Sequence, residues 1–162
     1  MIHILTTGGT IEGLDYVDDK GISQSNVNIK DFLNAANIGL EYVIESVFKK
    51  DSRSITDVDR ELLVNKIKAT NAKNILITHG TFTMEETAKY IGKLNLNKTI
   101  VLVGSFILGS SSNTDAPFNL GYAISSVQLL KSGVYIAMNG QVFLWNNVLK
   151  NLDTNKFERR DK

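Results

Sequence analysis

Five apolar, β-rich runs constrain what this chain can fold into. They are "MIHILTT" (1–7), "LEYVIESVF" (40–48), "NILITH" (74–79), "TIVLVGS" (99–105) and "GVYIAMN" (133–139). Most are near-continuous rather than alternating. A strand covered on one face alternates apolar with polar residues, whereas a continuous run implies cover on both faces, as in a parallel sheet between helices. A sixth run, "QVFLW" (141–145), follows Asn139-Gly140, a strong hairpin turn pair, and is predicted to fold back on the fifth.

Helical patterns separate the strands: "NIKDFLNAANI" (28–38), "TDVDRELLVNKIKAT" (56–70), "TMEETAKYIGKL" (83–94) and "DAPFNLGYAISSVQLLKSG" (115–133). Thr56 is the expected N-cap of the second, with Val58, Leu62, Leu63 and Ile67 on its apolar face. Thr83 and Glu86 have the spacing of a capping box on the third. The fourth has Asp115 at its N-cap, Pro117 in its first turn and Gly133 just past its end. Strict β–α alternation predicts a three-layer, doubly wound α/β fold, mainly parallel, with helices on both faces. With no linker or internal repeat, residues 1–162 are expected to form one domain. The charged tail "NKFERRDK" is expected to be loosely held.

Composition narrows the functional classes. A formal charge of +1, with no basic block before the tail, gives no nucleic-acid or acidic-membrane surface. The chain has no cysteine, which excludes thiol catalysis and disulfides and fits a reducing compartment. Two histidines and no acidic cluster of ligand spacing predict no metal site. "MIHILTTGG" is too short and too quickly polar for a signal peptide or a membrane span, so the expected location is the cytoplasm.

In doubly wound sheets, ligands bind beyond the carboxyl ends of the strands. That edge here carries Thr6 to Thr10, Ser52, Thr78 to Thr81, Gly104-Ser105 and Asn139. The paired glycines of "TTGGTIEG" (6–13) permit a tight turn and close approach of backbone to a ligand, but a plain tight turn reads equally well. The patterns G-x-G-x-x-G and G-x-x-x-x-G-K-[ST] are absent, which argues against dinucleotide or phosphate binding. The next stretch, "GLDYVDDKGISQSN", has neither helical nor strand period and reads as a lid or binding loop. Its tyrosine, Tyr16, either serves the site or packs the loop down. His79 ends a buried run and reads better as a hydrogen-bonded core histidine than as a base; His3 reads as structural. Thr81 stands where a strand meets a helix N-terminus, a place that favours developing negative charge. Its hydroxyl needs a base, for which a partly desolvated lysine is suited.

Taken together, "TTGGTIEG", "KDSRSIT", "ITHGTFTMEETA", "VLVGSFILGSSSNTDAPFNL" and "VYIAMNGQVFLWNNVLKN" resemble the bacterial-type L-asparaginase family, block by block over nearly the whole chain. The resemblance implies hydrolysis of a small amide in two steps, with release of ammonia and without metal or cofactor. It makes Thr10 the acyl-accepting nucleophile and Tyr16 the loop residue that helps activate it. It pairs Thr81 with Lys150. It places Ser52, with Arg53 beside it, at the substrate carboxylate, and the Ser105 backbone at the side-chain amide. Gly9, Gly80 and Phe82 complete the expected substrate-binding set. It further implies a homo-oligomer, a dimer or more, for which residues 106–130 are the expected contact, and a short form matching the family's amino-terminal domain.

Phe82 stands where the family carries an aspartate that orients the lysine and receives the substrate's α-amino group. A phenyl ring offers neither charge nor acceptor. Phe82 therefore suits a less charged substrate, a catalytically silent small-ligand binder, or a packing role. A phosphoacceptor receiver domain of similar strand order is disfavoured, because that chemistry needs an aspartate where this chain has Thr78-His79.

Overall fold

The computed structural model describes residues 1–16, 22–24 and 27–160, with only the backbone described at 15–16 and 22–24. Six strands form the main sheet: β1 (Ile2–Gly8), β4 (Tyr42–Lys50), β5 (Asn74–Thr78), β6 (Thr99–Val103), β7 (Gly133–Met138) and β8 (Gln141–Leu144). Their order is β4-β1-β5-β6-β7-β8, parallel except for the antiparallel β7–β8 pair. Every residue of β1 and of β6 is buried. Neighbouring side chains on a strand point to opposite faces, so this burial requires cover on both. β4, at the edge, mixes half-buried and exposed positions. The β7–β8 turn has Asn139 at φ 52° and Gly140 at φ 74°, the paired left-handed residues expected of Asn-Gly in a two-residue hairpin.

Four helices connect the strands: α1 (Ile29–Ala35), α2 (Asp57–Ala69), α3 (Met84–Gly92) and α4 (Ala116–Leu129). α4 packs on β5, β6 and β7, while α2 and α3 touch each other. Thr56 caps α2 as expected, in a reciprocal box with Asp59. The buried face of α2 differs from the expected one. Val58 and Leu62 are exposed, while Arg60, Leu63, Val64 and Ile67 are buried. Arg60 is tolerated inside because its guanidinium finds Asp57, Glu86 and Thr87. Glu86 is thereby drawn away from Thr83, and the capping box expected on α3 does not form. Thr83 instead donates its hydroxyl to the Ser52 carbonyl at 2.7 Å. Asp115 makes no cap bond to the backbone of its own helix; its carboxylate accepts from the backbone N–H groups of Phe106 and Ile107 and from the Asn119 side chain.

Two small hairpins escaped the sequence reading. β2 (Leu14–Tyr16) pairs with β3 (Ile22–Gln24) inside the stretch read as a loop. At the other end β9 (Leu149–Asn151) pairs with β10 (Lys156–Glu158), so the tail is held rather than loose through its described residues. Phe157 is buried in the core 6.1 Å from the Phe106 ring, and Arg160 donates to the Val148 carbonyl and Asn147 side chain. Phe157 is also the register partner of Lys150. Truncating Phe157 to alanine should cost about 3–5 kcal/mol of stability in urea denaturation. A cost below about 1 kcal/mol, the level of an ordinary surface substitution, would mean that the terminal hairpin is not part of the core.

Candidate functional site

The sheet order reverses direction at β1. The chain leaves β1 for β4 on one side, then returns past β1 to β5 on the other. The crevice at such a switch point is where open α/β sheets bind ligands. The turns after β1 and β5 meet there in close backbone contact. A Cβ at Gly9 would sit 2.5 Å from the Gly80 nitrogen, and one at Gly80 would sit 2.7 Å from the Ser52 hydroxyl oxygen. Gly9 is also at φ 81°, a conformation that side chains disfavour. Both glycines are therefore required by the approach of the turns.

Thr10 opens a short 3-10 turn, Thr10–Glu12, just after Gly9. Its carbonyl accepts from the N–H groups of Gly13 and Gly109, at 3.0 and 2.9 Å, which fixes the backbone behind the hydroxyl. Glu12, in the same turn, is buried. Its carboxylate accepts from the Gly8 N–H and the Thr78 hydroxyl, stitching the β1 turn to β5. Burial pushes its pKa up, against the opposing effect of these donors. Glu12 also borders a cavity of about 500 Å³ shared with Lys30 and Lys49.

The β5 loop carries Thr81 and Phe82. Lys150 reaches Thr81 from β9, its Nζ 3.0 Å from Oγ1. The Glu85 carboxylate holds the Lys150 backbone N–H at 2.9 Å, so α3 positions the strand that delivers the lysine. The Lys150 ammonium lies 4.3 Å from the Phe82 ring centroid and 5.3 Å from that of Phe106. Desolvation lowers its pKa below the ordinary lysine value, and among the described residues no carboxylate forms a salt bridge with it. Arg53 lies over the same ring, 4.6 Å from the centroid, and pairs with Asp51 at 3.0 Å. The Ser52 hydroxyl accepts from the Phe82 N–H at 3.2 Å.

These contacts join Gly9, Gly80, Ser52, Arg53, Thr81, Phe82 and Lys150 in one cluster, with Thr10 on the adjoining turn. Ser105 ends the neighbouring β6 loop, buried, and donates to the Ile107 carbonyl at 2.8 Å. Tyr16 lies in β2, and its side chain falls outside the described residues. Among the described residues no group of three or more His, Cys, Asp or Glu side chains stands together as a metal site would require. No helix among them is long and apolar enough to cross a membrane. Glu12 and Glu85 were missed from the sequence. Both act on backbone N–H groups, which leaves no residue pattern to find.

His79 is fully buried behind the loop. Its Nδ1 lies 2.7 Å from the Gly80 carbonyl, which can only accept, so the proton is on Nδ1. Nε2 then accepts from the Thr87 hydroxyl, which in turn accepts from Arg60 Nε. Burial lowers the His79 pKa to about 4.

This is a three-layer α/β domain whose switch-point crevice holds a threonine–lysine pair beside a glycine-tight turn bearing a second threonine. The chain belongs to the asparaginase family: residues 1–159 match the model of the family's N-terminal domain. It is 31% identical to a glutaminase-asparaginase of Acinetobacter glutaminasificans over 96% of this chain and 52% of that protein. It is 33% identical to a probable periplasmic L-asparaginase of Haemophilus influenzae, over 94% and 47%. The crystal structure of a probable cytoplasmic L-asparaginase from Campylobacter jejuni superposes with a TM-score of 0.78 at 28% identity, covering 99% of this chain and 53% of that one. The chain thus spans about half the length of these relatives.

A neutral, buried imidazole with a depressed pKa has a stated pH signature. The unfolded state takes up a proton near 6.5 and the folded state only near 4. Stability should therefore fall as pH drops through that window, by roughly 3 kcal/mol in all. The His79 ring resonances should not titrate above pH 5 in NMR spectra; a midpoint near 6.5 would place the ring in solvent instead.

Proposed function

We propose that this domain carries the acyl-transfer machinery of an asparaginase-type amidohydrolase, acting on the side-chain amide of L-asparagine or a related small amide. The observation that carries the reading is the 3.0 Å contact between Lys150 Nζ and Thr81 Oγ1, made by a lysine whose burial favours its neutral form. A protonated lysine only donates; a neutral one accepts a hydroxyl proton and serves as a base.

In this scheme the Thr10 oxygen attacks the amide carbon. The C–N bond breaks, and ammonia leaves with the proton given up by the Thr10 hydroxyl. Water, deprotonated through Thr81 and Lys150, then adds to the acyl carbon, the acyl–oxygen bond to Thr10 breaks, and the proton taken from water restores the Thr10 hydroxyl. Tyr16 assists at Thr10. Ser52 and Arg53 receive the substrate carboxylate, and the Ser105 backbone faces the amide, with Gly9 and Gly80 giving the chain close access to it. No metal or cofactor enters these steps. The names of the relatives, asparaginase and glutaminase-asparaginase, support this amide class.

A second reading has its own observation. Phe82, with Lys150 and Arg53 over its ring, occupies the position at which an aspartate was expected. A silent small-ligand binder would tolerate that change, and it would release no ammonia from any amide. Assembly and compartment belong to the proposal too. A dimer through residues 106–130 would cover Ile107 and Phe118, both exposed, and light scattering showing only monomer would reject it. The cytoplasmic placement agrees with the name of the Campylobacter jejuni neighbour but not with that of the Haemophilus influenzae relative, and cell fractionation decides it.

Thr10→Val is nearly isosteric and should leave the melting curve unchanged while abolishing ammonia release. Retained turnover would remove Thr10 from the chemistry. For the wild type, kcat should rise with pH along a limb whose midpoint lies below the ordinary lysine value, because the depressed pKa frees the base earlier. Lys150→Met should lower kcat by at least about 100-fold and flatten that limb. A limb that survives the substitution belongs to another group.

A further inference from the structure

The mouth of the switch-point crevice has an unusual charge arrangement. Phe82 is 52% exposed, and its N–H is tied to the Ser52 hydroxyl, so the ring is presented at the open side of the β5 loop. The Lys150 ammonium and the Arg53 guanidinium lie over this one ring, at 4.3 and 4.6 Å from its centroid. An aromatic face attracts cations through its quadrupole, and here that attraction is already used twice. Asp51 balances Arg53. Lys150 has no salt-bridge partner among the described residues.

A ligand entering here meets a positive, partly apolar mouth. A carboxylate gains from both cations. An ammonium group meets the unbalanced charge of Lys150, and among the described residues the nearby carboxylates Asp51 and Glu85 are taken up by Arg53 and by the Lys150 backbone. Bringing an ammonium into such a place without an acceptor costs binding energy. A methylene or an acyl group at the same position loses nothing and packs on the exposed part of the ring. We propose that the site takes ω-amides of dicarboxylic acids whose α carbon bears no free ammonium, either deaminated or N-acylated, with the carboxylate toward Arg53 and Lys150 and the α substituent on Phe82. The proposal rests on the amidohydrolase reading for its reaction, but its ligand selectivity can be measured without turnover.

The test uses product-like acids, which bind without reacting. Succinate, N-acetyl-L-aspartate and L-aspartate are titrated into the protein by calorimetry, and ammonia release is followed from succinamate and from L-asparagine. Succinate and N-acetyl-L-aspartate should bind at least about tenfold more tightly than L-aspartate, a ratio set by an unpaired ammonium. Phe82→Asp supplies the acceptor and should reverse that order. Phe82→Leu supplies none and should keep it. Phe82 is exposed, so both variants should retain the wild-type circular dichroism spectrum and melt. L-aspartate binding as tightly as succinate would overturn the proposal. So would an order that survives Phe82→Asp, or failure of all three acids to bind at millimolar concentration. If the acids bind in the expected order and neither amide yields ammonia, the hydrolytic reading falls and the ligand class stands. If ammonia is released faster from L-asparagine than from succinamate, hydrolysis stands and this inference falls.

Discussion

The contact between Gly9 and Gly80 is the constraint on which the rest of the site depends. Two strand ends at a topological switch point diverge by default, because their following helices leave in different directions. Here both turns lack a Cβ at the point of contact, and Ser52 closes against Gly80 from the third side. Hydrogen bonds then fix what contact has brought together. Gly9 donates to the Lys50 carbonyl, Thr7 to the Thr78 carbonyl, and Thr83 to the Ser52 carbonyl. The turns carrying Thr10 and Thr81 are held by backbone, and their hydroxyls remain available for chemistry. A methyl group at Gly9 would push the turns apart, and no side-chain rearrangement could restore the contact, since the opposing atoms are main chain, whereas one at Gly80 would meet the Ser52 side chain.

Lys150 depends on a different set of forces. It comes from a three-residue strand that would not hold alone. Phe157 anchors the partner strand in the core, and Glu85 ties the lysine's own backbone to the start of α3. The lysine is thus positioned by elements on both sides of it, and its ammonium is left among rings rather than carboxylates. That environment has two coupled effects. It weakens the proton's hold on the lysine, and it leaves whatever positive charge remains unbalanced at the mouth. The proposed base and the proposed ligand selectivity both draw on this setting, in which no carboxylate among the described residues pairs with the lysine.

The parts of the fold that were legible in the sequence are those where burial leaves a compositional mark. Continuous apolar runs placed the main-sheet strands, and Asn139-Gly140 placed the hairpin. Thr56 was found because capping of α2 is local. Thr83 and Asp115 have the same local signature, yet their side chains serve Ser52 and the Phe106–Ile107 backbone. Tertiary partners outcompete a local cap when they offer buried groups a hydrogen bond. The expected face of α2 took in Val58 and Leu62, whereas the helix buries Arg60, whose three partners make that burial tolerable. The β9–β10 hairpin is too short and too polar for its period to show. Physical reading found Thr81 at a helix start, but Lys150 became visible only through the family resemblance, because no sequence period relates residues 69 positions apart.

The turns around the crevice treat charge differently. Glu12 lies beneath the Thr10 turn, and its ionised form is opposed by burial and supported by donors from Gly8 and Thr78. Lys150 and Arg53 lie at the mouth. On the proposed reading an anionic ligand is drawn to the mouth, where Lys150 has no salt-bridge partner among the described residues. The amide is uncharged and can approach the threonine turn at no electrostatic cost, while the carboxylate stays with the cations. In the proposed scheme this placement orients the substrate before any specific hydrogen bond is made. A molecule with an added ammonium would blur it, because one end would carry both signs. The phenyl ring at position 82 adds no negative charge beside Lys150, which a carboxylate there would.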